Sequence, residues 1–556
     1  MKNRGFTLIE LLAVIVILAI IALIAVPIVL GIIDNAKESS RIRSAEMYLK
    51  GVEQAVMSQG LKKSGNLIPT ACTIVEEGNL NCDTSEEIIE VDVKGETPSD
   101  GNIRFEEGKI VEARLKYDNE VIVMNNDSKL VMQDENFLAN AILRDNEAKA
   151  DTNINFAQIS SDTNGKGLYY TNKNTQDNQT SYYFRGDVDN NYVKFGTEKA
   201  CSYKGVKVIY LKGIDPEDNM PILDIRPTEE MCNETTVVCD VGSYIKDNYG
   251  DNYRYVIGDE SFAAALGGNA AVCSMFGGTL INEKATYDEV DVYWKIVRIN
   301  EDGSIRLIYQ GNEPTIGRGE ATIGESAFNE ESGDNAHVGY MYGKVGSTTY
   351  EETHQNINDS TIKKKLDNWY SKNLTGYSNY IADSGFCNDR SITAAGGGTK
   401  LGYGTNYTNY KAWERMYSYK PQFACPQKND LFTVNNGKGN QVLTYPVGLL
   451  TIDEAAYAGG VGWPTYGETQ NNPDFYLNNG TWYWTMTPND YADYSSYEPY
   501  ERFTAGHWFV HGDGYLYGNW AWYDSGDVRP VINLKSNVEI TEGNGTVTTP
   551  YIVKTN

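Results

Sequence analysis

Met1-Lys2-Asn3-Arg4-Gly5-Phe6-Thr7-Leu8-Ile9-Glu10 opens the chain, and the apolar run it begins continues to Ile33. From Phe6 to Ile33 the only ionisable side chain is Glu10. A run this long and this apolar predicts a helix able to cross a bilayer. Lys2 and Arg4 lie just before it and favour a cytoplasmic start. A carboxylate near one end of such a helix is costly in hydrocarbon and calls for a partner. A cleaved secretory signal has a shorter apolar core followed by a small-residue cleavage site. Here the small residue, Gly5, precedes the core. A plain anchor would leave Glu10 without a purpose.

The hexamer Gly5-Phe6-Thr7-Leu8-Ile9-Glu10 closely resembles the processing motif of type IV prepilins, and Pro27 falls where that family has a helix-kinking proline. The resemblance implies that a prepilin peptidase cuts between Gly5 and Phe6 and methylates the new amine of Phe6. It also implies that the helix waits in the cell membrane until a filament of other pilin subunits extracts it to the extracellular surface. Glu10 and Pro27 are then assembly residues. An unpaired carboxylate is strongly disfavoured in an apolar filament core, so Glu10 is expected to meet the terminal amine of a neighbouring subunit.

With 556 residues the chain is too long for one ordinary domain. The expected parts are a leader (1–5), a helix (6–60, membrane-spanning over 6–33), a small β head (61–130), a linker (131–165) and an ectodomain (166–556) with an insertion at 199–289. The net charge of −27 argues against nucleic acid as a partner, since phosphates would be repelled. Gly 53, Tyr 40 and only 16 Pro suit a β-rich, turn-rich extracellular domain. The eight cysteines include no CxxC pair, so disulfides are expected instead of a metal centre. Cys72–Cys82 is the safest local pairing, with Cys232–Cys239 and Cys387–Cys425 as further candidates.

Ile42, Ala45, Leu49, Val52 and Val56 mark one apolar stripe, predicting that the helix continues to about Gly60 and packs on its own head. Segments 88–93, 101–105, 109–115 and 120–124 alternate apolar and polar residues and read as strands. Further on, strands are expected at 167–171, 180–186 and 191–195. Residues 293–299, Glu301-Asp302-Gly303 and 304–309 form a hairpin signature. Ser360 is a good N-cap for a helix over 361–374, and 448–459 reads as a strand end leading into a short helix. A closing edge strand is expected within 543–553. The fold class expected is α+β: a long pilin helix with a small antiparallel head, then a large mixed ectodomain.

Tyr293-Trp294-Lys295-Ile296-Val297-Arg298-Ile299, Tyr483-Trp484-Thr485-Met486-Thr487-Pro488 and Arg529-Pro530-Val531-Ile532-Asn533-Leu534 give residues 165–553 a second resemblance. This region is similar to bacterial surface domains with a C-type-lectin-like or formylglycine-generating-enzyme-like fold. Trp484, Pro488, Arg529 and Pro530 are expected in its core and turns. The candidate ligand surface is 489–527, which carries Tyr491, Tyr494, Tyr497, Tyr500, Trp508, Tyr515, Tyr517, Trp520, Trp522 and Tyr523 among Gly, Ser, Asn and Asp. Tyr and Trp offer large contact area at low rotamer cost, which suits recognition of a glycan or protein. The competing reading is that these rings fill a β core.

Asp187, Asp189, Asn191 and Glu198 match positions 1, 3, 5 and 12 of an EF-hand loop, but Tyr192 replaces the required glycine. No cofactor is expected, and calcium is the one cation these acidic loops suggest. His507 and His511 are four apart, but the surrounding glycines argue against the helix that would align them. No catalytic signature is evident. The expected function is a minor, tip-located pilin with an adhesin domain. The alternatives are a structural pseudopilin of a type II secretion or DNA-uptake system, and a surface-anchored enzyme.

Overall fold

The computed structural model describes residues 40–555 except 59–68, 84–87, 107, 118–119, 125–128, 135, 205, 215–220, 225, 235–237, 242–252, 259–263, 265–266, 282, 316–319, 463–471, 473–474, 494–502 and 524–525. Gly5, Phe6, Glu10 and Pro27, with the expected membrane span 6–33, lie outside the described residues. Among the described residues no helix is long and apolar enough to cross a membrane. The fold is mixed, mostly sheet with few helices, and divides into two compact units, Met1–Glu135 and Asn136–Asn556.

The N-terminal unit is a helix over 40–58 laid on a six-stranded antiparallel sheet. Ala45, Leu49, Val52 and Val56 of the stripe are buried together with Ile103, Leu115 and Ile122 of the sheet. Tyr48, outside the expected stripe, is also buried; its hydroxyl donates to the Gly78 carbonyl at 2.7 Å. Asp100–Glu106, Lys109–Tyr117 and Glu120–Met124 pair in sequence order. Segment 88–93 forms no strand: its one ladder contact is the Ile89–Leu80 bridge, while Ile89 and Val91 turn into the core. Residues 131–165, expected as a linker or short connecting element with a helix-like piece at 136–148, carry regular elements. Leu130–Asp134 is the sixth strand, and helix Leu138–Asp145 packs into the C-terminal core.

In the C-terminal unit the hairpin forms as its turn residues dictate. Thr286–Ile299 pairs antiparallel with Ile305–Gly311 around Gly303, whose φ of +80° suits a residue without Cβ. Thr286–Ile299 also pairs with Tyr192–Tyr203, and Ile305–Gly311 with Val531–Leu534, inside a branched fourteen-stranded sheet. The helix Thr361–Asn373 is capped by Ser360, whose hydroxyl accepts from the Lys363 amide. Helix Ile452–Ala458 starts in a capping box of Thr451 and Glu454. The closing strand Tyr551–Val553 is not an edge. It lies between Tyr192–Tyr203 and Ile540–Glu542, and pairs with both.

A second, eight-stranded sheet is centred on Tyr483–Asp493, Phe503–Val510 and Tyr515–Trp520. Trp294, Trp484 and Trp508 lie in one core. Trp484 donates to the Ser326 carbonyl at 2.7 Å. Arg529 is buried, donating to the Leu477 and Tyr309 carbonyls, and Pro488 sits where the strand register shifts.

The disulfides are Cys72–Cys82, Cys201–Cys232, Cys239–Cys273 and Cys387–Cys425. Cys232 and Cys239 are therefore not partners. Cys232 is held on helix Glu229–Glu234 against Cys201, whereas Cys239 belongs to strand Val238–Asp240 and meets helix Asn269–Met275. Both bonds clip the inserted segment, which joins the sheet where Ser202 pairs with Thr286.

Candidate functional site

The strands of the second sheet sort the ten candidate aromatic residues. Tyr491, Trp508 and Tyr515 are core residues, at 0%, 1% and 3% exposure. Tyr491 donates its hydroxyl to the Gly333 carbonyl at 3.0 Å. Their rings have no face to offer a ligand, and the expectation for these three is corrected. Position explains it for Trp508, which lies on a central strand whose residues from Thr504 to Val510 are all buried, so neither face of the strand is open to solvent there. Tyr494, Tyr497 and Tyr500 lie outside the described residues.

Tyr517, Trp520, Trp522 and Tyr523 remain, all half-buried. Trp520 and Trp522 stack with centroids 5.6 Å apart and planes 8° from parallel. Tyr523 continues the row 6.1 Å from Trp522, and Trp482 lies 5.6 Å from Tyr523. Phe509 then bridges Trp482, at 5.2 Å, and Tyr517, at 5.9 Å. The sheet register sets Phe509 opposite Tyr517. Asp513 borders this row, accepting from the Tyr517 hydroxyl at 3.2 Å and lying 3.0 Å from His511 Nδ1. Burial, reinforced by Asp513, raises the Tyr517 pKa, so it stays a phenol at neutral pH.

Trp482 and Phe509 were missed by sequence reasoning. For Trp482 the signal was the aromatic run Trp482-Tyr483-Trp484, whose first ring precedes the strand Tyr483–Asp493 and stays half-buried while the next two are buried. His507 and His511 do not converge as metal ligands. His507 is buried and stacks on Phe328 with centroids 3.4 Å apart, while His511 is exposed beyond the strand. The EF-hand-like positions are likewise committed elsewhere. Asn191 donates to the Ile296 carbonyl at 3.1 Å, and Glu198 accepts from Tyr309 at 2.6 Å and Trp369 at 3.3 Å. Among the described residues no group of His, Cys, Asp or Glu is arranged to hold a metal ion.

A family model for the prokaryotic N-terminal methylation motif matches residues 1–26. Comparison with curated proteins and with solved structures gives no match. The matched motif fits a type IV pilin-like or pseudopilin-like secreted protein, with prepilin peptidase processing and assembly beside other pilins.

Proposed function

We propose that this chain is a minor, tip-located type IV pilin whose C-terminal unit is a C-type-lectin-like adhesin domain. In this reading Gly5 and Phe6 form the processing site, Glu10 guides assembly, and the C-terminal unit contributes recognition and no catalysis. The stacked, half-buried pair Trp520–Trp522 carries the proposal, because the row from Tyr517 to Tyr523 offers flat apolar surface beside a polar edge at Asp513. Such a surface suits a glycan or a protein.

The test is a glycan and protein array probed with detergent-solubilised full-length chain and with the Trp520→Ala/Trp522→Ala variant. Specific binding by the natural chain and a tenfold or greater loss in a variant of unchanged stability is the expected result. Absence of binding by the natural chain would favour a pseudopilin whose aromatic row packs against neighbouring subunits.

A further inference from the structure

Away from the aromatic row, the C-terminal unit contains a cleft of about 70 Å³ at the turn of the central hairpin. Arg298, Glu301, Asp302 and Arg306 come from that hairpin, and Asp177 and Lys438 from two other loops. The Cys387–Cys425 disulfide contributes to its wall. Its floor is a buried ionic cluster. Glu454 Oε1 accepts from Arg298 Nε at 3.0 Å and from Arg306 Nη1 at 2.6 Å. Arg306 is then fully used, donating Nε to Asn533 at 3.0 Å and Nη2 to the Gly385 carbonyl.

Arg298 is not fully used. It is only 6% exposed and lies over the Phe423 ring, 4.5 Å from the centroid. Its Nη1 donates to Ser181 at 3.2 Å and to Glu301 at 3.1 Å. Nη2 donates to none of the described residues and is not among the enclosed orphan atoms, so it is the nitrogen left open to the cleft. A guanidinium held in place by three carboxylate and hydroxyl partners, with one edge unspent, is a prepared anchor for a carboxylate.

The other lining groups argue against a simple anion. Asp177, Glu301, Asp302 and Glu454 outnumber Arg298, Arg306 and Lys438. Asp302 is itself held rigidly: it accepts from the Ser304 amide at 3.0 Å, the Ser304 hydroxyl at 2.5 Å and the Ser384 hydroxyl at 2.7 Å. Its remaining lone pair suits an ammonium group, and the exposed Asp177 on the lining already draws one, lying 3.5 Å from Lys438 Nζ in a solvated pair weak enough for a ligand ammonium to replace. The volume suits a small molecule.

We propose that this cleft binds a small zwitterion, an α-amino acid with a short side chain, with its carboxylate on Arg298 Nη2 and its ammonium between Asp302 and Asp177. A lone acetate would meet the excess of carboxylates, and a lone amine would meet Arg298. Only a ligand carrying both charges satisfies both ends.

The test is saturation-transfer NMR on the detergent-solubilised full chain with glycine, L-alanine and L-serine, with acetate and methylamine as controls at neutral pH. The amino acids are expected to bind at least tenfold more tightly than either control. Asp302→Asn keeps hydrogen-bonding capacity toward Ser304 and Ser384 and should weaken glycine tenfold or more. Asp177→Asn, at an exposed position where folding is not at stake, should weaken it several-fold. Trp520→Ala should leave glycine binding unchanged, which separates this site from the aromatic row. Equal binding of acetate and glycine, no binding of any probe, or unchanged glycine binding in both aspartate variants would overturn the proposal.

Discussion

Among the described residues of the N-terminal unit every strand pairing but one joins consecutive strands; the exception is Ala71–Ile74, which also reaches past Leu80–Cys82 to Asp100–Glu106. Its disulfide closes only 10 residues. The C-terminal unit is held across far greater separations. Arg185 donates to the Ala456 carbonyl 271 residues away, Arg529 to Tyr309 across 220, and Arg298 to Glu454 across 156. One unit is thus assembled from local pattern, the other from buried polar groups that find partners only when distant segments meet. The larger unit therefore depends more on charge state and on long loop closures.

Acid should separate the two units most. All four histidines belong to the C-terminal unit. Burial lowers His507 to about 3, and burial with the neighbouring Arg390 lowers His354 to about 3. Both are neutral in the fold, whereas the unfolded chain takes up protons below about 6.5. Their stabilising contribution is complete above that value and is lost as pH falls from about 6.5 toward 3. Two protons over the roughly 1.5 pH units between 6.5 and 5 amount to about 4 kcal/mol. Denaturant titrations at pH 7 and 5 should show the C-terminal transition moving strongly and the N-terminal one little. His507→Gln with His354→Gln should flatten that dependence, and an unaltered slope would count against it.

Glu454→Gln comes next. It leaves Arg298 and Arg306 buried against a neutral amide, and removing one partner of such a cluster costs about 3–5 kcal/mol. Burial opposes ionisation of Glu454, but Arg306 and Arg298 outweigh it and hold its pKa below the ordinary value. Its contribution is therefore present above about pH 4.3 and lost as pH falls further. Calorimetry should show the loss in the C-terminal transition alone.

Opening disulfides sharpens the contrast in loop length. Replacing Cys387 and Cys425, 38 residues apart, with serine should cost about 4 kcal/mol by chain entropy, and replacing Cys72 and Cys82 about 3 kcal/mol. Equal midpoints for the two variants, each in its own unit, would show that loop length does not set the difference. The smallest effect is Tyr48→Phe, which leaves the Gly78 carbonyl without its donor and should cost about 1 kcal/mol in the N-terminal transition.

The difference between the units also explains what was readable in advance. Spacing alone marked Ala45, Leu49, Val52 and Val56 as the buried side of the helix, because a helix repeats its face without help from distant residues. The same holds for the hairpin around Gly303 and for the Ser360 cap. Segment 88–93 alternated correctly and still formed no strand, since a ladder needs a partner in register and only Leu80 provided one. Among the aromatics, composition marked a region rich in Tyr and Trp but could not say that Tyr491, Trp508 and Tyr515 face inward.

By itself, then, the sequence determined the N-terminal methylation motif at residues 1–26, the helix stripe, the hairpin and the caps. All of these are written in contiguous residues. Only the tertiary structure decided that Cys232 joins Cys201, that Glu454 lies between two arginines, and that one edge of Arg298 opens onto a cleft. Each of those facts depends on which distant segment excludes water from a given side chain, and that is a property of the packed molecule.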